Sequence, residues 1–183
     1  MKPTKKYLIT SDTHFFHKNI VKFCHRPVNF TEQIMTNLRN EITDNTILIH
    51  LGDISLTKEE QAHELFISTL KCKKILVKGN HDDKSYQWYM EHGWDFACQA
   101  FQWNLFGKKI MFTHKPVAWD GNWELNICGH LHSKSHRDEE WCLVTENNHY
   151  VISQEMNNYK PYNLQKLIEG LGTEKRLDNN VRV

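Results

Sequence analysis

The chain has 183 residues, of which 25% are charged and 39% hydrophobic, with a formal net charge of +1. That length suits one domain with a real core, and the near-neutral charge provides no global field to draw it onto nucleic acid or an anionic membrane. No apolar run approaches the roughly 18 residues of a membrane span, and the basic start Met1 to Lys6 leads straight into strand-like residues, which argues against a cleaved signal peptide. The five cysteines, Cys24, Cys72, Cys98, Cys128 and Cys142, are odd in number and contain no C-x-x-C pair. They predict free thiols in a reducing cytoplasm. Histidine is abundant, at 12 residues, which raises the expectation of metal chemistry.

In chain order, Tyr7–Thr10 predicts a first strand, followed by the polar turn Ser11-Asp12-Thr13-His14. Asn19 to Cys24 reads as a short helix, ended by Arg26-Pro27 because the residue before proline avoids helical geometry. Thr31 is the expected N-cap of a helix with Ile34, Leu38 and Ile42 on one stripe. Thr46–Leu51 predicts a buried strand that stops at Gly52-Asp53. Thr57-Lys58-Glu59-Glu60 fits a capping box opening a helix with Ala62, Leu65, Phe66 and Leu70 on its apolar face. Ile75 to Val77 is a third buried strand, short, apolar and closed by a turn. Gly79 lets the backbone turn sharply there, where a side chain would clash. It delivers Asn80, His81 and Asp82 at the C-terminal end of a strand, where open α/β sheets bind their ligands.

Alternating strand and helix imply a parallel sheet with right-handed crossovers. Asp83 is the expected cap of a helix through Glu91, ending at Gly93. The texture then changes. Phe101–Leu105 and Lys109–Thr113 flank Phe106-Gly107-Lys108 as a hairpin, and Leu125–Cys128, Trp141–Thr145 and His149–Ser153 read as strands. Asn163 caps a last helix through Glu169, with a polar, frayed tail beyond it. No repeat or linker argues for a second domain, so the expected unit is one domain over 1–170 with a tail at 171–183.

Five polar clusters follow predicted strands: Asp12-Thr13-His14, Gly52-Asp53, Gly79-Asn80-His81-Asp82, Thr113-His114 and Gly129-His130-Leu131-His132. His130 and His132 point the same way if the backbone is extended, since side chains there alternate with period two. Carboxylate, imidazole and amide oxygen without thiolate suit borderline divalent ions such as Mn²⁺, Fe²⁺, Ni²⁺ or Zn²⁺. Other histidines have plainer readings. His50 is expected to be buried and hydrogen-bonded, while His25, His63, His92, His136 and His149 read as surface or loop residues.

The ordered set resembles the calcineurin-like metallophosphoesterases, whose pattern is D-x-H, G-D, G-N-H-D/E, a lone histidine, then G-H-x-H. The resemblance spans residues 7 to 132, with Thr113 standing where a glycine or serine is commoner. Ser11 to Ile20 and Asn158-Tyr159-Lys160-Pro161 are similar to the compact, cap-less bacterial and phage members, which for a phage protein would mean the host cytoplasm. The resemblance implies an α/β fold, a four-layer αββα sandwich of two mixed β-sheets flanked by helices. It implies that Asp12, His14, Asp53 and His132 hold one ion and that Asp53, Asn80, His114 and His130 hold the other, with Asp53 bridging. The ions would be divalent, Mn²⁺ first, with Fe²⁺, Ni²⁺ or Zn²⁺ as alternatives. Two cations about 3.5–4 Å apart share a hydroxide nucleophile and offset charge on the phosphoryl group, which leaves His81 as general acid. Asp82 either orients His81 or caps the following helix.

The implied activity is hydrolysis of a phosphate ester, a phosphodiester of nucleotide size such as a linear or cyclic nucleotide being favoured over a monoester. His17, Asn80 and Lys115 are candidate substrate contacts; Asn19 and Arg26 are weaker ones, and Arg26 also reads as a surface group. Trp119 and Trp123, and likewise Phe15 and Phe16, either stack a nucleobase or simply pack. The rivals are a phosphomonoesterase and a nuclease on polymeric nucleic acid. The nuclease would want a basic track, and Lys71, Lys73 and Lys74 make only a small cluster. Stable nucleic-acid binding is therefore not expected. A non-catalytic metal-binding module is disfavoured because the motif set is intact.

Overall fold

The computed structural model describes residues 5–132, 144 and 148–171. Two mixed sheets flanked by helices make up the α/β fold that the sequence resemblance implies. Five strands form the first sheet: β1 (Lys6–Thr10), β2 (Thr46–His50), β3 (Lys73–Val77), β4 (Phe96–Cys98) and β9 (Tyr162–Asn163). Their order is β4-β3-β2-β1-β9, parallel except for β9. The second sheet contains β5 (Ala100–Leu105), β6 (Lys108–Thr113), β7 (Leu125–Cys128) and β8 (His149–Val151), in sequence order. There β5 is antiparallel to β6, and β6, β7 and β8 run parallel.

Strand alternation sorts the core into two layers. Leu8, Leu48 and Leu76 face the helices α1 (Ile20–Phe23), α2 (Phe30–Glu41), α3 (Glu59–Leu65) and α4 (Tyr86–Glu91) through Ile20, Ile34, Leu38, Ala62 and Tyr89. Their neighbours Ile9, Ile47, Ile49 and Val77 face the other sheet, against Ile110, Phe112 and Ile127. Every β2 residue is buried, so truncating Leu48 to alanine would cost about 2–5 kcal/mol. A helical run at 164–171 adds Leu164 and Ile168 to the inter-sheet core, and Asn163 Oδ1 accepts the Lys166 N–H at its start.

Register places the ligand-bearing loops side by side. Thr10 pairs with His50 and His50 with Leu76, while Thr113 pairs with Cys128 and Cys128 with Val151. The strands before each polar cluster therefore end level, within their own sheets.

Local expectations differ in places. Thr31 lies inside α2, whose N-cap is Asn29. Ser85, not Asp83, caps α4, its Oγ accepting the Trp88 N–H. No side chain caps α3; Glu59, expected in a capping box, is buried with its carboxylate on the Tyr89 hydroxyl. The hairpin turn is the pair Phe106-Gly107, with φ of +52° and +73°, as a type I′ turn requires. The helix after Asn163 continues through Gly170 to Leu171. Strand β4 was not foreseen, being three residues long. The strand expected at Trp141–Thr145 lies outside the described residues apart from Val144, as do His136, Cys142 and 172–183. Among the described residues, no helix is long and apolar enough to cross a membrane.

Candidate metal centre

Backbone hydrogen bonds continue past the strand ends and tie two loops together. Asp12 N donates to Gly52 O (2.9 Å), His14 N to Asp53 O (3.0 Å) and Phe15 N to Ile54 O (2.8 Å). Within these loops the backbone is unusual: Asp12, His14, Asp53, His130 and His132 all have φ between +45° and +68°. Such left-handed conformations cost L-residues roughly 1–2 kcal/mol each and cluster where function demands them. His130 and His132 converge through this loop geometry, not through the extended pleat expected from their spacing.

The glycines are there for close approach. A Cβ on Gly79 would lie 2.1 Å from Asp53 Oδ1 and 2.5 Å from Asp53 N, and one on Gly129 would lie 2.5 Å from Asp12 Oδ2. Gly79 does not have the positive φ that a sharp turn would have explained; the bare Cα makes room for the aspartate.

Asp53 is the hub. Its Oδ1 accepts the His81 backbone N–H at 3.0 Å. Its Oδ2 faces His114 Nε2 at 3.5 Å, His14 Nε2 at 3.7 Å and His81 Nε2 at 3.9 Å. Asp82 is buried and does not cap the following helix, whose N-cap is Ser85. Its carboxylate accepts the N–H groups of Asp53 (2.8 Å), Gly79 (2.7 Å) and Ile54 (3.0 Å), so it braces the Asp53 loop.

Among the described residues, Asp12, His14 and His132 form one buried ligand group and Asp53, His114 and His130 another, while Cys24 and Glu155 gather with His132 in a third. Asn80, on a more exposed turn, sends its Oδ1 to within 3.0 Å of His114 Nε2. The outer nitrogens of two imidazoles are already engaged. His114 Nδ1 donates to Leu51 O at 2.7 Å, and His132 Nδ1 faces Glu155 Oε1 at 3.3 Å. Such contacts fix the tautomer of metal-binding histidines and aim the other nitrogen's lone pair inward.

A cation fits this donor set. With Nδ1 held by Leu51 O, His114 points Nε2 towards His130 Nδ1 at 3.1 Å as well as Asn80 Oδ1 and Asp53 Oδ2. Asp12 Oδ1 is buried without a hydrogen-bond partner, facing His132 Nε2 at 3.7 Å and His14 Nε2 at 3.9 Å. Those gaps exceed a hydrogen bond, and metal–ligand distances of about 2.0–2.2 Å suit them. Asp12, His14, Asp53, Asn80, His114, His130 and His132 would hold the ions.

Burial and neighbouring charge set the protonation. Burial raises Asp53 to about 6 and pulls His14 well below its ordinary value. Burial opposes protonation of His132, yet Asp12, Cys24 and Glu155 together raise it to about 10. Asp12 is lowered despite its burial, chiefly by His132 and His114.

Arg26 and Glu155 are the support that sequence reasoning missed. Arg26 is buried, not a surface group. It donates to Asp12 O (2.7 Å), Thr13 O (2.9 Å) and Glu155 Oε1 (2.6 Å). His50 is buried as expected, accepting the Gly52 N–H on Nδ1 and meeting Thr13 Oγ1 on Nε2, both at 3.0 Å. His63 and His149 are also buried rather than superficial; His63 accepts the Trp94 indole N–H and His149 meets Val117 O.

At the mouth, the His81 side chain is 33% exposed. Its ring centroid is 5.7 Å from that of His14, and the ring of partly exposed His17 is 5.9 Å from His14 on another side. Lys115 is exposed beside His114. Phe15 and Trp123 are core residues and are not available to stack a base, whereas Trp119 is exposed.

This fold and this grouping of carboxylates and imidazoles define a calcineurin-like phosphoesterase. The model of the calcineurin-like phosphoesterase family matches residues 5–141, and the chain belongs to that family. It is similar to an uncharacterized protein of Methanocaldococcus jannaschii, 32% identical over 179 residues and covering 92% of each chain. A solved protein of unknown function from Aquifex aeolicus superposes with a TM-score of 0.73 at 24% identity, over 91% of this chain and 99% of that one. That second likeness is one of fold.

Proposed function

We propose that the protein is a phosphodiesterase that holds two divalent ions, Mn²⁺ first, and hydrolyses a nucleotide-sized phosphoester. The observation that carries this reading is Asp53 Oδ2, which lies 3.7 Å from His14 Nε2 of one ligand group and 3.5 Å from His114 Nε2 of the other. One carboxylate oxygen common to both groups is what a pair of neighbouring ions requires. When bound, such ions activate water as the nucleophile and neutralise charge on the phosphoryl oxygens.

The chain's own residues do the rest. His81, a third exposed and 3.9 Å from Asp53 Oδ2, is placed to protonate the leaving oxygen. Its backbone N–H keeps Asp53 Oδ1 occupied, so the other oxygen stays turned to the pocket. His17 and Lys115 contact non-reacting phosphoryl oxygens from the rim, and the Asn80 amide orients the substrate from its exposed turn. The net charge of +1 favours a small ester over a polymeric nucleic acid.

The test is to strip the protein with chelator, restore Mn²⁺, and screen linear, cyclic and dinucleotide diesters alongside monoesters. Mn²⁺-dependent hydrolysis with higher kcat/KM on a diester is expected. No hydrolysis with any divalent ion would overturn the reading, and a preference for monoesters would overturn its diester part.

A further inference from the structure

Segments 16–32 and 56–66, which continue the chain just beyond the loops of His14 and Asp53, line a cleft of about 820 Å³. It falls within the 300–1,000 Å³ range of small-molecule sites. Its inner wall is aromatic: Phe16 stacks on Phe66 with centroids 5.3 Å apart and planes at 23°. Leu56 and Val28 line the cleft with 38% and 88% of their surfaces exposed. The wall is anchored to the metal centre's loops, since Phe15 bridges Ser55 and Ser55 Oγ donates to Phe15 O at 3.0 Å. His17 belongs to both spaces: it lines the cleft, and its ring lies 5.9 Å from that of His14.

We infer that this cleft is the subsite for the nucleobase of the substrate, with His17 at the joint between base and phosphate. The inference rests on the phosphoesterase reading and names the substrate class. An aromatic wall offers a stacking face to a planar ring. Lys58 Nζ, 5.6 Å from the Phe16 ring centroid, adds positive charge to the cleft. Asn19, Thr31, Thr57 and Glu32 give the same cleft donors and acceptors for base edges. An alkyl chain would leave that polar rim unused.

The experiment compares KM for a dinucleotide diester and for its abasic counterpart, in wild type and in Leu56→Glu, a partly exposed position. In parallel, AMP, ribose 5-phosphate and octyl phosphate are titrated while the methyl resonances of Val21, Val28 and Leu56 are followed. Stacking predicts an abasic penalty of roughly five- to a hundredfold, collapsing in Leu56→Glu, with methyl shifts from AMP alone. Methyls silent to AMP, or an abasic penalty unchanged in Leu56→Glu, would overturn the subsite, as would shifts produced by octyl phosphate instead. Hydrolysis with silent methyls sinks the subsite alone. AMP-induced shifts without hydrolysis by any divalent ion sink the phosphoesterase reading and leave the cleft as a nucleotide site.

Discussion

Asp82 grips Asp53 by its backbone: Oδ2 of the first accepts the N–H of the second at 2.8 Å. The same carboxylate takes the Gly79 and Ile54 amides, so one buried side chain fixes the loop carrying the hub of the site. Burial raises its pKa, and three amide donors work against that rise.

Replacing Asp82 with alanine strands three backbone donors. Each unsatisfied buried donor costs about 1–3 kcal/mol, so a loss of at least about 2 kcal/mol in urea unfolding is expected, together with reduced metal content. An unchanged midpoint with a shifted pH–rate profile would mean that Asp82 acts on His81 instead.

His81→Ala should keep its metals, because alanine retains the N–H that binds Asp53 Oδ1. Turnover of an unactivated diester should fall on the order of 10²–10⁴-fold, the usual contribution of a general acid. A p-nitrophenyl diester, whose leaving group needs less protonation, should lose less. Wild-type turnover of both esters would remove His81 from the mechanism.

Glu59 and His63 make stability depend on pH from opposite sides. Burial lifts Glu59 from 4.5 to about 7, so the fold keeps a proton the unfolded chain releases, and stability declines as pH rises from 4.5 through 7. Burial lowers His63 from 6.5 to about 4, so stability declines as pH falls from 6.5 through 4. Glu59→Gln keeps an acceptor for the Tyr89 hydroxyl. It should add on the order of 1 kcal/mol at pH 8, allowing for solvent screening, and little at pH 4.5. Equal effects at both pH values in denaturant titrations would contradict the assignment.

The ligand set was legible because its members follow strand ends in fixed order, and parallel register brings those ends level. The support was not. Arg26 and Glu155 meet across 129 positions of sequence, and no spacing rule links an arginine after a short helix to a glutamate in a late turn. The left-handed backbone at Asp12, His14, Asp53, His130 and His132 was equally hidden, since residue type alone favours glycine there. Spacing left Trp123 between stacking a base and packing; it packs, edge-on against His149 with centroids 5.4 Å apart. Gly79 was legible as a place where a side chain would clash; that the atoms it would strike belong to Asp53 was not.

The most direct measurement is metal stoichiometry by elemental analysis after loading with Mn²⁺ and desalting, for wild type and Asp53→Asn. Two ions per wild-type chain and fewer than one in the variant are predicted, because the shared carboxylate oxygen serves both. Two ions retained in Asp53→Asn would contradict the bridged centre.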